Sequence, residues 1–343
     1  MQKTEVFYPS KLPPRNTFPQ ESVLFYDSIL NKNAAFKAWS KKFEFQLALK
    51  SGESLKTINS FSEVLTKLSK LAVPSTPRLT FIAVGGGSVG DFVGFLASVY
   101  LRGRALIQIP STWLAAFDSA HGGKNGLNLL GQKNQLGTFH SPEKVYLVKE
   151  LLVSQPSARM VEALGEVIKI AIIGQPRIFS VLEKNIFKLN AKHLIEILPA
   201  AVQAKYKIVG LDPYEKSGVR RVLNLGHTMG HVFESHFGWP HGICILLGTL
   251  FSVRWSYHLG CLSTRDYIRI SNLIESAYTS INLNEDLAGV TEAQIKTALF
   301  KDKKRTSSSQ IDFIFIKKVG SVTRKKVSVD EILAEIHRQK TEY

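Results

Sequence analysis

The segment LTFIAVGGGSVGD (79–91) constrains the fold more than any other stretch of the 343-residue chain. LTFIAV (79–84) is a short, nearly unbroken apolar run, which reads as a strand buried on both faces, and such strands belong to parallel sheets covered by helices. GGGSVGD (85–91) then leads into a helix. Gly85, Gly87 and Gly90 keep the G-x-G-x-x-G spacing, in which missing side chains let a pyrophosphate approach backbone N–H groups at the positive end of a helix. No acid about 20 residues further on fills the ribose-binding position of a dinucleotide fold. Alone, the element leaves dinucleotide binding and a plain strand-to-helix turn equally open.

The flanking sequence extends the same pattern. VLFY (23–26), ALIQI (105–109) and KVYLV (144–148) read as buried strands, and KFEFQLALK (42–50) alternates with Phe43, Phe45, Leu47 and Leu49 on one face. Leu55, Ile58, Phe61, Val64, Leu65, Leu68 and Leu71 recur at helical spacing and stop before Pro74. Strands alternating with helices predict a doubly wound, Rossmann-like parallel sheet. After Gln155-Pro156 the periodicity becomes helical, in VEALGEVIKIAII, KHLIEILPAAVQAKYKIV and DYIRISNLIESAY. IDFIFI (311–316) is the one strand-like segment there, and a helix starts near Asp330. The expected organisation is an α/β domain over 1–152 and a mostly α-helical domain over 153–343. A cleft between two such domains is a common place for a ligand.

Composition excludes several classes. A hydrophobic fraction of 44% with 21% charged residues suits a chain that buries a core, not a disordered one. The longest nearly apolar stretch, Ile243 to Val253, is far short of the roughly 20 residues of a membrane span. The opening MQKTEVFYPSK lacks an apolar signal core, and Cys244 and Cys261 make no disulfide framework, so a cytoplasmic location is expected. Lys plus Arg number 44 against 28 Asp plus Glu, a net charge of +16. That excess attracts anions, whether nucleic acid or small phosphorylated metabolites. No aromatic-plus-basic reading motif accompanies it, so no specific nucleic-acid partner is expected. The runs KDKKR (301–305) and TRKK (323–326) read as solvated surface.

LNLGHTMGH (223–231) sets His227 and His231 four apart, on one helix face; His241 follows in PHG, and Glu166 lies in GEVIK on an otherwise apolar helix. Two histidines and a carboxylate with one position left for water or substrate form a catalytic zinc-type ligand set. A single histidine is more often a satisfied core or surface residue; the group favours a metal. Arg102, Lys124, Lys133, Lys169, Lys205, Arg220, Lys303 and Lys304 stand singly among apolar or glycine-rich residues. Surface exposure is the usual fate of such cations. Lys169 resists it, one turn from Glu166, and several cations beside a metal suit a substrate with phosphate and carboxylate groups.

GESLK (52–56), GGGSVGDFVGF (85–95), YLRG (100–103), QIPSTWLAAFDS (108–119), GGKNGLN (122–128), KNQLGTF (133–139), GEVIK (165–169), GVRRVLNLGHTMGH (218–231), HG (241–242) and DKK (302–304) together resemble the 3-dehydroquinate synthase family of sugar-phosphate cyclases. The intervals from Asp118 to Lys124 and from Lys124 to Asn134 and Glu166 also match. The resemblance implies a fold like that of the iron-dependent alcohol and glycerol dehydrogenases, with an NAD-binding domain and a metal- and substrate-binding domain. It implies NAD and one divalent metal, zinc or cobalt. The metal counterparts are Glu166, His227 and His241. For NAD they are Asp27, Glu53, Lys56, Gly86, Gly87, Asp91, Ser111, Thr112, Asp118 and Lys133. Substrate counterparts are Lys124, Asn134, Lys169, Lys205, Arg220, Asn224, His231 and Lys303 or Lys304. Arg102 corresponds to an arginine that reaches across a subunit interface, which implies a homodimer.

The implied reaction turns a small phosphorylated, carboxylated sugar, 3-deoxy-D-arabino-heptulosonate 7-phosphate, into 3-dehydroquinate on the shikimate route. It proceeds by transient oxidation with NAD, phosphate elimination, reduction, ring opening and intramolecular aldol closure. The sequence departs from the family at Ile29, His121, Asn125 and Ile243, in NLLGQKN, and by one extra residue between Asp212 and Arg220. The nearest alternatives are a cyclase of the 2-deoxy-scyllo-inosose or valiolone type and an NAD- and metal-dependent polyol dehydrogenase. A neutral polyol would not require Lys124, Lys169, Lys205 and Arg220 together.

Overall fold

The apolar run after Arg78 lies inside a six-stranded, all-parallel sheet in a computed structural model that describes residues 3–278, 287, 289–301 and 310–342. The chain divides into two compact units, Met1–Pro156 and Ser157–Tyr343. In the first, β1 (Glu5–Phe7), β2 (Ser22–Asp27), β3 (Phe45–Leu49), β4 (Thr80–Gly85) and β5 (Ala105–Pro110) precede a hairpin of β6 (Lys124–Leu129) and β7 (Gln132–Phe139). β8 (Lys144–Tyr146) completes the sheet, in the order β1-β8-β5-β4-β2-β3.

Alternate residues fill two cores. Val23, Phe25, Phe81, Ala83 and Leu106 face one side with α2 (Ile58–Lys70) and α3 (Gly87–Val99), following α1 (Ala34–Ser40) in the chain. Leu24, Tyr26, Ile82, Val84, Ile107 and Ile109 face the other, with Phe36 and Trp39 of α1 and Leu151 of α4 (Lys149–Val153). Burial of both faces explains why the strands read as continuous apolar runs. The expected face of 42–50 needs one correction: Phe45, Leu47 and Leu49 join the α2–α3 core, but Phe43 precedes β3 and packs on the opposite core with Trp39 and Phe18.

β3 and β4 flank β2 on opposite sides, so the winding reverses between β2 and β4. Ligands of doubly wound sheets bind beyond the carboxyl ends of the strands at such a switch point. Asp27, Gly86 and Ser111 lie at the ends of β2, β4 and β5.

The second unit holds α5 (Ser157–Gly174), α6 (Pro176–Asn185), α7 (Ala191–Leu211), α8 (His227–Phe237), α9 (His241–His258), α10 (Thr264–Ala277) and α11 (Glu292–Lys301). The antiparallel pair β9 (Gln310–Lys318) and β10 (Ser321–Ser328) and the helix α12 (Val329–Glu342) follow. α5 from Ala163 to Ile173 and α9 from Gly242 to Ser256 are buried on every face, and α9 packs on α5, α8, α10 and β9. Among the described residues no helix is long and apolar enough to cross a membrane; the apolar run from Ile243 lies within α9.

Four strands escaped the sequence reading. β6 and β7 carry GGKNG- and QKN-type polar residues on a hairpin whose second strand is largely exposed, and β1 is only three residues long. TRKK (323–326) lies in β10, with Arg324, Lys325 and Lys326 exposed, so its charge hid a strand that pairs with the buried β9.

Candidate metal centre and nucleotide-binding edge

Glu166, His227 and His241 converge although they lie on three different helices. Each offers one ligand atom within 4.8 Å of the others. Glu166 sits in the middle of buried α5, while His227 and His241 are the first residues of α8 and α9. Glycines permit this approach. A Cβ on Gly165 would overlap the Gly242 backbone, and one on Gly242 would overlap the Glu162 carbonyl, so α5 and α9 touch backbone to backbone beside both ligands. A Cβ on Gly248 would overlap the Gly226 carbonyl, which brings the start of α8 equally close to α9.

Glu166 Oε1 is buried and accepts no hydrogen bond. It faces His241 Nε2 at 3.4 Å and His227 Nε2 at 3.6 Å. Tetrahedral bonds of about 2.1 Å hold neighbouring ligand atoms about 3.4 Å apart, so these separations suit one small divalent ion. Both imidazoles use Nδ1 elsewhere: His227 Nδ1–H donates to the Leu225 carbonyl at 3.1 Å, and His241 Nδ1 lies 3.2 Å from Glu234 Oε2. Each Nε2 is thereby left for the shared gap. Burial alone lowers the His241 pKa, but the Glu166 and Glu234 carboxylates outweigh it and hold it up to about 9. Metal entry at neutral pH therefore displaces a proton. His231 lies close, its ring centroid 5.5 Å from that of His227, but it is outside the cluster.

The remaining candidates of the second unit are mostly buried. Lys169 pairs with Glu166 Oε2. Lys205 is buried on α7, Arg220 is buried in the 3-10 segment Val219–Asn224, and Asn224 ends that segment half-buried. Asp212 secures the segment by accepting the backbone N–H groups of Ser217 and Arg220, both at 3.2 Å, and Arg220 Nη1 donates to the Pro213 carbonyl at 3.0 Å. Burial pushes the Asp212 carboxyl up, but these donors prevail and hold it at about 2. A carboxylate depressed by folding stabilises the native state above its unfolded pKa of about 4 and loses that contribution as pH falls. Asp212→Asn should therefore melt below wild type at pH 6, and the gap should close toward pH 2. A gap of constant size would contradict the assignment. Lys303 and Lys304 lie outside the described residues.

The first unit carries the nucleotide-side candidates, of which Asp27, Gly86 and Ser111 lie at the carboxyl ends of β2, β4 and β5. Gly86 caps α3 and Gly87 begins it; a Cβ on either would press on Thr112 or Ser119 at 3.2 and 3.1 Å. Asp27 accepts the Ile29 N–H at 3.1 Å. Asp118 lies in a single π turn, Ala115–Ser119, a distortion that often marks functional sites. Lys56 Nζ donates to Asp91 Oδ2 at 2.6 Å and to Asn134 Oδ1 at 2.5 Å. Burial raises the Asp91 carboxyl, with Lys56 opposing it. Glu53, Lys124, Lys133 and Asn134 are exposed, and so is Arg102. Removing the cation from this nearly buried pair, as in Lys56→Met, should cost about 3 kcal/mol in a urea melt, the low end for a buried pair because Asp91 keeps some exposure, with Lys56→Arg recovering part. A loss below about 0.5 kcal/mol would show the pair to be worth no more than an exposed one.

Two of the positions that depart from the resemblance have local side-chain partners. Asn125 Nδ2 donates to the Gly123 and His140 carbonyls at 3.0 and 2.9 Å, and its side chain fills the space beside Gly94, where any Cβ would overlap it. His121 is buried, with Nε2 2.8 Å from the Ala116 carbonyl inside the π turn. Ile29 is exposed and Ile243 is buried in the first turn of α9. Two polar residues were missed. Asn128 joins Glu53 Oε2 at 2.8 Å to the Asn134 N–H at 2.9 Å, and Glu234 meets His241. Glu234 stands seven residues after His227, two turns along the same face, a spacing that could have flagged it.

Both units together have the fold of the sugar-phosphate cyclases. A 2-deoxy-scyllo-inosose synthase solved with carbaglucose-6-phosphate, NAD+ and Co2+ superposes with a TM-score of 0.82 at 22% identity, covering 97% of this chain and 96% of that one. The 2-epi-5-epi-valiolone synthase ValA of Streptomyces hygroscopicus subsp. jinggangensis 5008, with NAD+ and Zn2+ bound, gives 0.84 at 20% identity, with 98% and 97% covered. Residues 46–162 match the family model for the 3-dehydroquinate synthase N-terminal part, and 163–305 that for the C-terminal part. The 3-dehydroquinate synthase of Francisella tularensis subsp. tularensis (strain FSC 198) is 32% identical over 290 residues, which is 83% of this chain and 79% of the relative. The chain belongs to the 3-dehydroquinate synthase family.

Proposed function

We propose that the chain converts 3-deoxy-D-arabino-heptulosonate 7-phosphate into 3-dehydroquinate and inorganic phosphate, a carbon–oxygen lyase reaction with no net redox change. The observation that carries the reading is the convergence of Glu166, His227 and His241 in a chain that matches this family over both units. Bound at this cluster, zinc or cobalt would polarise a carbinol oxygen, and NAD would accept and return the hydride of that carbon. For NAD, the reading uses Asp27, Gly86, Gly87, Ser111 and Thr112 at the switch point, with Glu53, Lys56, Asp91, Asp118 and Lys133. Lys169, Lys205 and Arg220 are cations already desolvated by the fold, which strengthens their hold on carboxylate and phosphate groups. Held at fixed points, those anions keep successive intermediates aligned. Lys124 adds a further cation, Asn134 and Asn224 supply neutral hydrogen-bond partners, and His231 can hold a proton near the departing phosphate.

We also infer a homodimer working in the cytoplasm. Its support is Arg102, exposed in a turn where Leu101, Arg102 and Gly103 all have positive φ, beside the exposed Val99 and Leu101. Sedimentation of the purified chain tests it.

Incubation with the heptulosonate phosphate, zinc or cobalt and substoichiometric NAD should release phosphate over many turnovers without net NADH. Stoichiometric NADH would point to a dehydrogenase. Turnover of a different sugar phosphate alone would point to a cyclase of the inosose or valiolone type.

A further inference from the structure

We propose that Glu234 is a positioning residue for His241: it fixes the ring so that Nε2, and no other atom, is presented to the metal. The inference rests on Glu166, His227 and His241 being the ligand set. The two imidazoles are anchored differently. His227 is half-buried, and its Nδ1–H is held by the Leu225 carbonyl, two residues away on its own backbone. His241 has no such local anchor. It opens α9 directly after Pro240, and its side chain is 29% exposed against 14% for His227 and 2% for Glu166. The ligand with the most room to turn is the one that meets a carboxylate, Glu234 Oε2, 3.2 Å from Nδ1.

Glu234 comes from α8, the helix that starts with His227. One helix therefore supplies a ligand at its first residue and, two turns later, the group that orients the ligand of the next helix. A carboxylate on Nδ1–H sets the tautomer and makes Nε2 a better donor to a cation, and loss of such partners typically weakens metal binding ~10–100-fold. Glutamine keeps an oxygen that can accept from Nδ1–H but carries no charge, so it separates orientation from charge.

Zn2+ and Co2+ affinities of the wild type, Glu234→Ala, Glu234→Gln and His227→Ala, read by competition with a chromophoric chelator, test the proposal alongside apo-protein melting. Glu234→Ala should bind both ions ~10–100-fold more weakly, with an altered Co2+ visible spectrum and an apo melting curve close to wild type. Glu234→Gln should recover most of the affinity and the wild-type spectrum. Wild-type affinity and spectrum in Glu234→Ala, with binding lost in His227→Ala, would overturn the positioning role and leave the ligand set standing. Glutamine no better than alanine would also overturn it. Wild-type affinity in His227→Ala would overturn the ligand set, and this inference with it.

Discussion

His227→Ala and His241→Ala should each leave a folded chain that no longer binds a divalent metal tightly, whereas Glu166→Ala should lose both the metal and much of its stability. The difference follows from what each substitution leaves behind. Removing either imidazole opens space at a partly exposed helix start. Removing Glu166 strands the Lys169 ammonium, whose side chain is only 4% exposed and whose partner is that carboxylate. Leaving one member of a buried ion pair uncompensated costs about 3–5 kcal/mol. Lys169→Met added to Glu166→Ala should recover much of that stability and none of the metal affinity, a non-additivity that a double-mutant cycle reads directly. Equal stability in Glu166→Ala and His227→Ala, measured by urea unfolding of the metal-free proteins, would contradict the buried pairing.

Gly165→Ala and Gly242→Ala should be nearly as damaging, although neither glycine carries a functional group. Each added Cβ would overlap backbone atoms of the facing helix, where no rotamer change can relieve the contact. Overpacking a core usually costs 1–3 kcal/mol, and a backbone clash should reach the top of that range, about 3 kcal/mol. The same displacement separates Glu166 from His241, so metal affinity should fall together with stability. Gly210 provides the contrast: it lies near the end of α7 with nothing within 4 Å of an added Cβ. Gly210→Ala should be neutral or stabilising by up to about 1 kcal/mol, because alanine is the better helix former. Thermal melts and metal titrations of the three variants check this. A benign Gly242→Ala would show that the α5–α9 approach is looser than described.

These two results also mark what could be read from the chain. The buried parallel strands were legible because burial on both faces leaves a continuous apolar signature, as in LTFIAV and ALIQI. The hairpin at 124–139 was not, because polar and glycine residues interrupt both strands and β7 is largely exposed. Four residues, one glutamate and three histidines, pointed to a metal, and spacing alone left all three histidines in play. His231 shares a helix face with His227; the family resemblance pointed to His241 in its stead, and the placement of α9 gives the physical reason. GEVIK and HG point to a metal through their carboxylate and imidazole, while their glycines are what let α5 and α9 meet. A glycine inside a helix reads as a weak helix former until the facing backbone is known. Glu234 was passed over because its partner lies on the following helix.

The central claim is that one acid and two imidazoles, distant in sequence, hold a single divalent ion. X-ray absorption at the zinc edge of the loaded protein tests it most directly. The account predicts one zinc per chain, with two imidazole nitrogens at about 2.0–2.1 Å and carboxylate or solvent oxygen at about 2.0–2.2 Å. It also predicts one imidazole fewer in His241→Ala loaded at high zinc concentration. Sulfur in the coordination sphere, fewer than two imidazoles in the wild type, or an unchanged spectrum in His241→Ala would contradict it.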